Sequence, residues 1–519
     1  MPRPQSTQYR AGRNGQKNKM SDKNETDLDK YKQEGKILTP PLAQLKATPS
    51  SWINDRMPEM LWAVLAISQL EREKALDFFK HSLLPVNGNK ALWDVTLSGI
   101  EKFPGEQKMA FIENMVSYKG AKIAAILKPL LLYKTLPSFQ EWRNAIGQDA
   151  NMKEDGEKIA DALSKCLWHQ SQEATDCRWV KVAAEIMSGN LQVAEPLRRE
   201  ILLYPNEGDQ RKVRPSIRAM EIIPGMEDVK PEWPKIFWKE SYERTGCIPE
   251  QARKESQEKL EKLRKEHDDS RKHYFDSTVK MRHALIDHFF KTSSTSDIDS
   301  RQEAVFGLAL YGLGIFIENV FYRTSLSVNG RVMLRTLFET YVTLAYLFKK
   351  ESEDGRVWDD YRSYGSGQTN LIYRKYEEKS LSSTTIDKER IAAIANEDAW
   401  VEFVPINLGH WDSSDLRKMC EYIGEKELYD KYYAYTSGFV HGNWTAIRES
   451  VFQTCLNPLH RLHRIPTYDL PLMSSVTKDM LEMVNKILEI VSKSYPTFDD
   501  RMTLAPIETG QTNPPNLTK

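Results

Sequence analysis

Three charged residues, Arg331, Arg335 and Glu339, recur at four-residue spacing in the stretch SVNGRVMLRTLFETYVTLAYLFKK. On a helix each step of four advances about 40°, so all three share one face. An arginine placed there can grip a phosphate or carboxylate through its planar fork, and a glutamate one turn on can orient it. The same pair has an architectural use, in which Glu339 neutralises Arg335 and ties down a neighbouring helix. Leu334, Leu337, Phe338, Val342 and Leu344 cover most of the remaining circumference. A buried helix is therefore expected, with its charged line facing a cleft or internal partners.

About a hundred residues on, YYAYTSGFVHGNW carries His441 among the small residues Ser437, Gly438 and Gly442, with Tyr435 before it and Asn443 and Trp444 after it. An imidazole titrates near neutrality and can serve as general acid or base. Where the two segments meet, Arg335 is expected to bind a phosphate, Glu339 to orient it and His441 to move the proton. Arg331, Tyr361, Ser437 and Asn443 are expected as neighbours.

Two further clusters carry weaker signals. In NPLHRLHRIP, His460 and His463 stand beside Arg461 and Arg464. Two histidines three apart could ligate a metal, but no Cys, Asp or Glu close by completes a set, so the cluster reads as a small basic patch for nucleic-acid phosphate or as an ordinary surface turn. In MRHALIDH, Arg282 and His288 have five residues between them. This fits the Arg-x(4–6)-His pattern of the HEPN ribonucleases, helical toxins and defence proteins that cleave RNA without metal. On an ideal helix the two side chains point about 120° apart.

The signatures of other chemistries are missing: there is no Walker A loop, no GxGxxG after a strand, no HExxH and no GxSxG. Neither a metal nor a cofactor is expected. Lysine plus arginine balances aspartate plus glutamate at 73 each in 519 residues, so no global field drives the chain onto nucleic acid or a membrane. The cysteines, Cys166, Cys177, Cys247, Cys420 and Cys455, are scattered and form no CxxC pair. That argues against a disulfide framework or a structural zinc site and fits a reducing compartment. The basic, polar N-terminus has no apolar stretch of secretory type, so a cytoplasmic location is expected. The most apolar run, Ala304 to Ile317, is shorter than the roughly 18–20 residues of a spanning helix and reads as core.

These residues must be positioned by helices, because almost no stretch alternates with period two. The pattern predicts an all-α chain of two helical domains joined by a Pro-rich boundary and a charged helix, with disordered termini. Residues 1–46 are polar and expected to be disordered. An all-helical domain is expected over 47–222, and the prolines and mixed charges of 223–269 read as a linker. A second helical domain spans 270–498, with helices at Phe275–Phe290, Gln302–Phe321, Asn329–Phe348, Arg356–Ser380 and Val476–Ser494 among others, and 499–519 reads as a disordered tail.

RVMLRTLFETYVTLAYL, WDDYRSYG and YTSGFVHGNW resemble the bacterial helical family catalogued as domain of unknown function 5677, over roughly residues 270–495. The resemblance implies a bacterial, cytoplasmic protein, marks Arg335, Glu339, Ser437, His441 and Tyr361, and implies no established activity. By analogy with helical defence proteins, the expectation is an RNA-directed, metal-independent nuclease effector of phage defence or toxin type. The alternative is a non-enzymatic interaction or scaffold protein. In that case residues 47–222 bind a protein partner and the Arg335–Glu339 pair is structural.

Overall fold

The structure, a computed structural model, describes residues 31–39, 50–204, 210–222, 230–379, 384–397, 402–409, 411–412 and 414–497. The chain is essentially all-α and divides into two compact units, Met1–Thr245 and Gly246–Lys519. Most of the residues expected to be disordered at either end lie outside the described residues. Residues 31–39 are described: β1 (Lys32–Glu34) and β2 (Ile37–Thr39) form an exposed antiparallel hairpin with Lys32 opposite Thr39.

The first unit packs around α1 (Leu61–Gln69), α2 (Met152–Cys166) and α3 (Gln172–Met187). Side-chain caps start the last two: Asn151 Oδ1 accepts from Lys153 N, and Ser171 Oγ from Ala174 N. Every residue of α3 from Ala174 to Ile186 is buried, including Asp176, Arg178, Lys181 and Glu185. The helix α4 (Trp233–Arg244) lies inside the stretch expected to be linker. Its Pro234 sits in the first turn, where a missing N–H costs nothing. Trp233 Nε1 donates to the Pro58 carbonyl and so fastens α4 to this unit.

The second unit begins with a 39-residue helix, α5 (Lys254–Thr292). The charged stretch and the following helix, expected to be separate, are thus continuous. His267, Tyr274, Thr278, Met281, Leu285 and His288 form its buried stripe, at steps of three, four and seven. The stripe packs on α6 (Ser300–Phe321), which Asp299 caps through Gln302 N. By length and composition α6 could cross a membrane. Here Val305, Phe306, Ala309, Leu313 and Phe316 pack it into the core against α7 (Val328–Lys350) and α12 (Thr477–Ser494). Around that core lie α8 (Val357–Glu378), α9 (Leu416–Ile423), α10 (Ala434–Val440) and α11 (Trp444–Val451). A two-stranded antiparallel hairpin follows α11, with β3 (Phe452–Thr454) in register with β4 (Arg464–Pro466).

Gly330, in the first turn of α7, lets the turn at residues 324–327 press against the helix. A Cβ there would stand 2.4 Å from the Thr324 carbonyl oxygen and 3.0 Å from the Ser325 Cα. Backbone cannot step aside as a flexible side chain would. Gly→Ala within a helix ordinarily gains up to about 1 kcal/mol. At this position the expected outcome is the reverse: Gly330→Ala should destabilise the second unit by about 1–3 kcal/mol in chemical denaturation. A stabilised variant would refute the close approach.

Candidate functional site

The charged line of α7 is held from two sides. Arg331 is 2% exposed and its guanidinium donates to three main-chain carbonyls: Ser325 O at 2.9 Å, Ser327 O at 3.2 Å, and Ser474 O. Burial lowers its pKa from the usual arginine value, and the nearby Tyr435 hydroxyl opposes the shift. Arg335 pairs with Glu339 one turn on, at 2.7–2.8 Å from its Oε1, and its guanidinium lies over the Tyr433 ring, 4.1 Å from the centroid. Tyr433 ends a π-helical turn, Tyr429–Tyr433, that runs into α10 and gives its ring this aim. The ion pair lies within α7 and holds the guanidinium over Tyr433, the ring that ends the turn leading into α10. Glu339 keeps 42% of its side chain exposed at the edge of this contact.

His441 caps the C-terminal end of α10 by donating its backbone N–H to Ser437 O. Its side chain is exposed, and among the described residues no hydrogen bond, ion pair or ring contact reaches the imidazole. Gly442, at φ +62°, turns the chain, and Asn443 N donates to Gly438 O before α11 begins. Ser437 and Asn443 thus serve the backbone of the turn. Tyr361 lies elsewhere, edge-on to Trp411 at 5.4 Å, with burial raising its hydroxyl pKa. Arg282 and His288 face different surroundings on α5. Arg282 is exposed and donates to Leu310 O, while His288 is buried and its ring packs against Phe306.

A polar cleft of about 350 Å³ opens beside α7, lined by Lys259, Arg331, Tyr435, Arg448, Glu449 and Gln453 among others. Tyr435 Oη donates to Glu449 at 2.9 Å. Arg448, which lines the cleft, and Arg464 both donate to the Thr454 hydroxyl, at 3.2 and 2.5 Å. Burial and the neighbouring Arg448 charge lower the Arg464 pKa, while Glu250 opposes. Trp444 at 66% and Tyr435 at 45% expose large rings on the same two helices that flank the His441 turn.

The expectation that no cysteine completes a ligand set with His460 and His463 fails. Cys247, 208 residues before Cys455 in sequence, folds back onto the β3–β4 loop. The ligand atoms of Cys247, Cys455, His460 and His463 all lie within 4.8 Å of one another. Nor is His460 part of a phosphate-binding surface, being 3% exposed, and His463 is half-buried. Of that cluster only Arg461 and Arg464 present an exposed basic face.

The first unit holds a group that sequence reading missed. Glu185 of α3 is fully buried with neither carboxylate oxygen hydrogen-bonded, and burial pushes its pKa up to about 8. Glu59 accepts from Ser98 N and Oγ at 2.9 and 2.8 Å, and burial raises it to about 7. Lys181 and Asp94 face both, and a cleft of about 120 Å³ reaches Glu59, Asp94, Lys181 and Arg56. The one signal in the sequence was DCRWVKVAAE, four charges on a helix that is otherwise apolar all round.

No curated protein and no solved structure matches the chain. Residues 320–455 match the model of a family described as a family of unknown function, DUF5677. The matched stretch runs from the end of α6 to Cys455. It includes α7, the Tyr429–Tyr433 turn, α10 and the His441 corner. Residues 320–455 of the second unit are thus similar to the DUF5677 family, whose function is unknown.

Proposed function

We propose that the second unit acts on single-stranded RNA at the corner formed by α10, α11 and the β3–β4 hairpin, as a metal-independent nuclease with His441 as its general base and acid. One observation carries this reading: an imidazole that is exposed and unpartnered among the described residues, on a glycine turn between helices that expose Tyr435 and Trp444, the second of which also carries Arg448, paired through the Thr454 hydroxyl with Arg464. Arginine with exposed aromatic rings is the combination that grips a flexible strand, through phosphates and stacked bases. In this reading His441 takes the proton of a ribose 2′-hydroxyl and the 2′-oxygen attacks the adjacent phosphorus. The bond to the 5′-oxygen breaks, and that oxygen leaves with the proton that His441 took from the 2′-hydroxyl. The products are a 2′,3′-cyclic phosphate and a 5′-hydroxyl. Arg448, Arg464 and Arg461 bind phosphate, and Arg335 with Glu339 positions α10. By analogy with helical effectors, the setting is bacterial phage defence in the cytoplasm.

Binding of a labelled single-stranded RNA at low salt tests this. Arg464→Ala is expected to reduce the slope of log affinity against log salt by about one, and Trp444→Ala to weaken binding by about 1–3 kcal/mol. His441→Ala should retain binding and abolish cleavage, both with purified protein and in total RNA of expressing cells under phage challenge. Absence of binding by the wild type would sink the proposal.

A second reading, an interaction protein in which Arg335 and Glu339 are purely structural, is favoured by the closed Arg335–Glu339–Tyr433 clamp. In that case His441→Ala changes neither RNA nor phage survival, and the partner is to be sought on residues 47–222.

A further inference from the structure

We propose that Cys247, Cys455, His460 and His463 form a zinc site that staples the first residues of the second unit to the β3–β4 hairpin. Cys247 Sγ lies 3.5 Å from His460 Nδ1 and 3.3 Å from His463 Nε2, and Cys455 Sγ lies 3.5 Å from the same His460 Nδ1. Zinc bonds of about 2.3 Å to sulfur and 2.0–2.1 Å to nitrogen, at tetrahedral angles, place sulfur and nitrogen about 3.5 Å apart. All three distances are edges of such a tetrahedron. A hydrogen-bond network accounts for them less well, because one proton on Nδ1 cannot serve two sulfurs at once. Two thiolates and two neutral imidazoles around a divalent ion leave the site without net charge, which suits the burial of Cys455 and His460.

The surrounding backbone is built to hold these four side chains. Pro249 bridges to Cys455, and Leu456 N donates to Ile248 O at 2.7 Å. Asn457 Nδ2 donates to Gly246 O at 2.8 Å, and its Oδ1 caps Leu459 N. Between the two histidines, Arg461 and Leu462 both adopt left-handed backbone conformations, at φ +46° and +55°. Two consecutive non-glycine residues there are strained, and the turn they make returns His463 to within 2.9 Å of Cys455, its carbonyl accepting from Cys455 N. The spacing Cys-x4-His-x2-His with a distant fourth ligand matches no short zinc-finger pattern. Three of the four residues lie outside the stretch matched to the family. The site thus rests on this chain's own geometry and is independent of any action on RNA.

Metal analysis of the full chain, purified under reducing conditions with zinc supplied, tests the proposal. The expected content is about one zinc per chain, lost in Cys455→Ser and in His463→Ala and kept in His283→Ala, an exposed histidine on α5. Cobalt loaded in place of zinc gives the wild type the visible bands of a tetrahedral ion and a thiolate charge-transfer band. This readout stands even if the variants fail to fold. Chelation should lower the melting temperature by at least about 5 °C, restored by zinc. A wild type that binds neither zinc nor cobalt, full metal content in Cys455→Ser, or a Cys247–Cys455 disulfide found by mass spectrometry overturns the proposal.

Discussion

Replacing Arg331 with methionine should lower the melting temperature of the second unit by on the order of 10 °C, corresponding to about 3–5 kcal/mol. Among the described residues Arg331 forms no ion pair with a carboxylate. Its guanidinium donates to the carbonyls of Ser325, Ser327 and Ser474, and so joins the turn before α7 to the segment that leads into α12. The same two strands of chain are already laced by Met473 N to Leu326 O and Val476 N to Ser325 O. Methionine fills the volume but removes three donated bonds; Ser325 O keeps Val476 N, whereas a buried carbonyl left without any donor costs about 1–3 kcal/mol. Lysine keeps the charge but not the fork, so Arg331→Lys should recover less than half of the loss. Arg335→Met is the contrast. It removes a partly exposed ion pair and one ring stack, together about 1–2 kcal/mol. Equal losses at Arg331 and Arg335 would contradict this division of labour. The readout is thermal unfolding followed by hydrogen exchange, which assigns the loss to the second unit.

Helical periodicity exposed most of this fold. α6 and α7 start and stop within two residues of expectation, because apolar residues at three- and four-residue steps continue up to charged or capping ends. α4 was hidden by prolines that start a helix rather than end one. The β3–β4 pair was hidden by its length, since three residues a strand cannot display an alternation. The charged line on α7 was legible as a face, yet its two arginines do different work. Sequence places both on one stripe but does not say which meets backbone and which meets a ring. The metal-ligating cluster was half legible. His460 and His463 stand three apart, whereas Cys247 reaches them only through tertiary contacts, 213 and 216 residues away in the chain. Spacing rules work where ligands share one loop and are silent where the fold supplies the fourth.

The first unit should lose stability as pH rises from about 4.5 to 8, and Glu185→Gln should remove much of that loss. Burial raises Glu185 to about 8 and Glu59 to about 7. Lys181 pulls both back, Ser98 pulls Glu59 back, and Asp94 pushes both further. A carboxyl raised in the folded state holds its proton where the unfolded chain has released it. Its favourable contribution is complete below the unfolded value near 4.5, declines through neutrality, and is gone above the folded value. The two displacements correspond to on the order of 3–5 kcal/mol each. Asp155 works in the opposite sense. Its burial is outweighed by the Asn151 N–H and by Lys158 and Lys128, so its contribution is lost as pH falls below the usual carboxylate range. The unit should therefore be most stable near pH 5. Glutamine reproduces the neutral form of Glu185 with nearly the same shape, so any cost of burying its amide is a constant offset. The informative quantity is the difference in melting temperature between variant and wild type, which should grow by at least about 5 °C in favour of the variant from pH 5 to pH 9. Parallel curves would show that Glu185 is ionised and paired at neutral pH. A growing difference would instead establish, beside a cleft lined by Arg56, Lys181 and Lys230, carboxyls that exchange protons near pH 7. That is the property an acid–base site needs, and it would make the first unit a second place to seek chemistry in this chain.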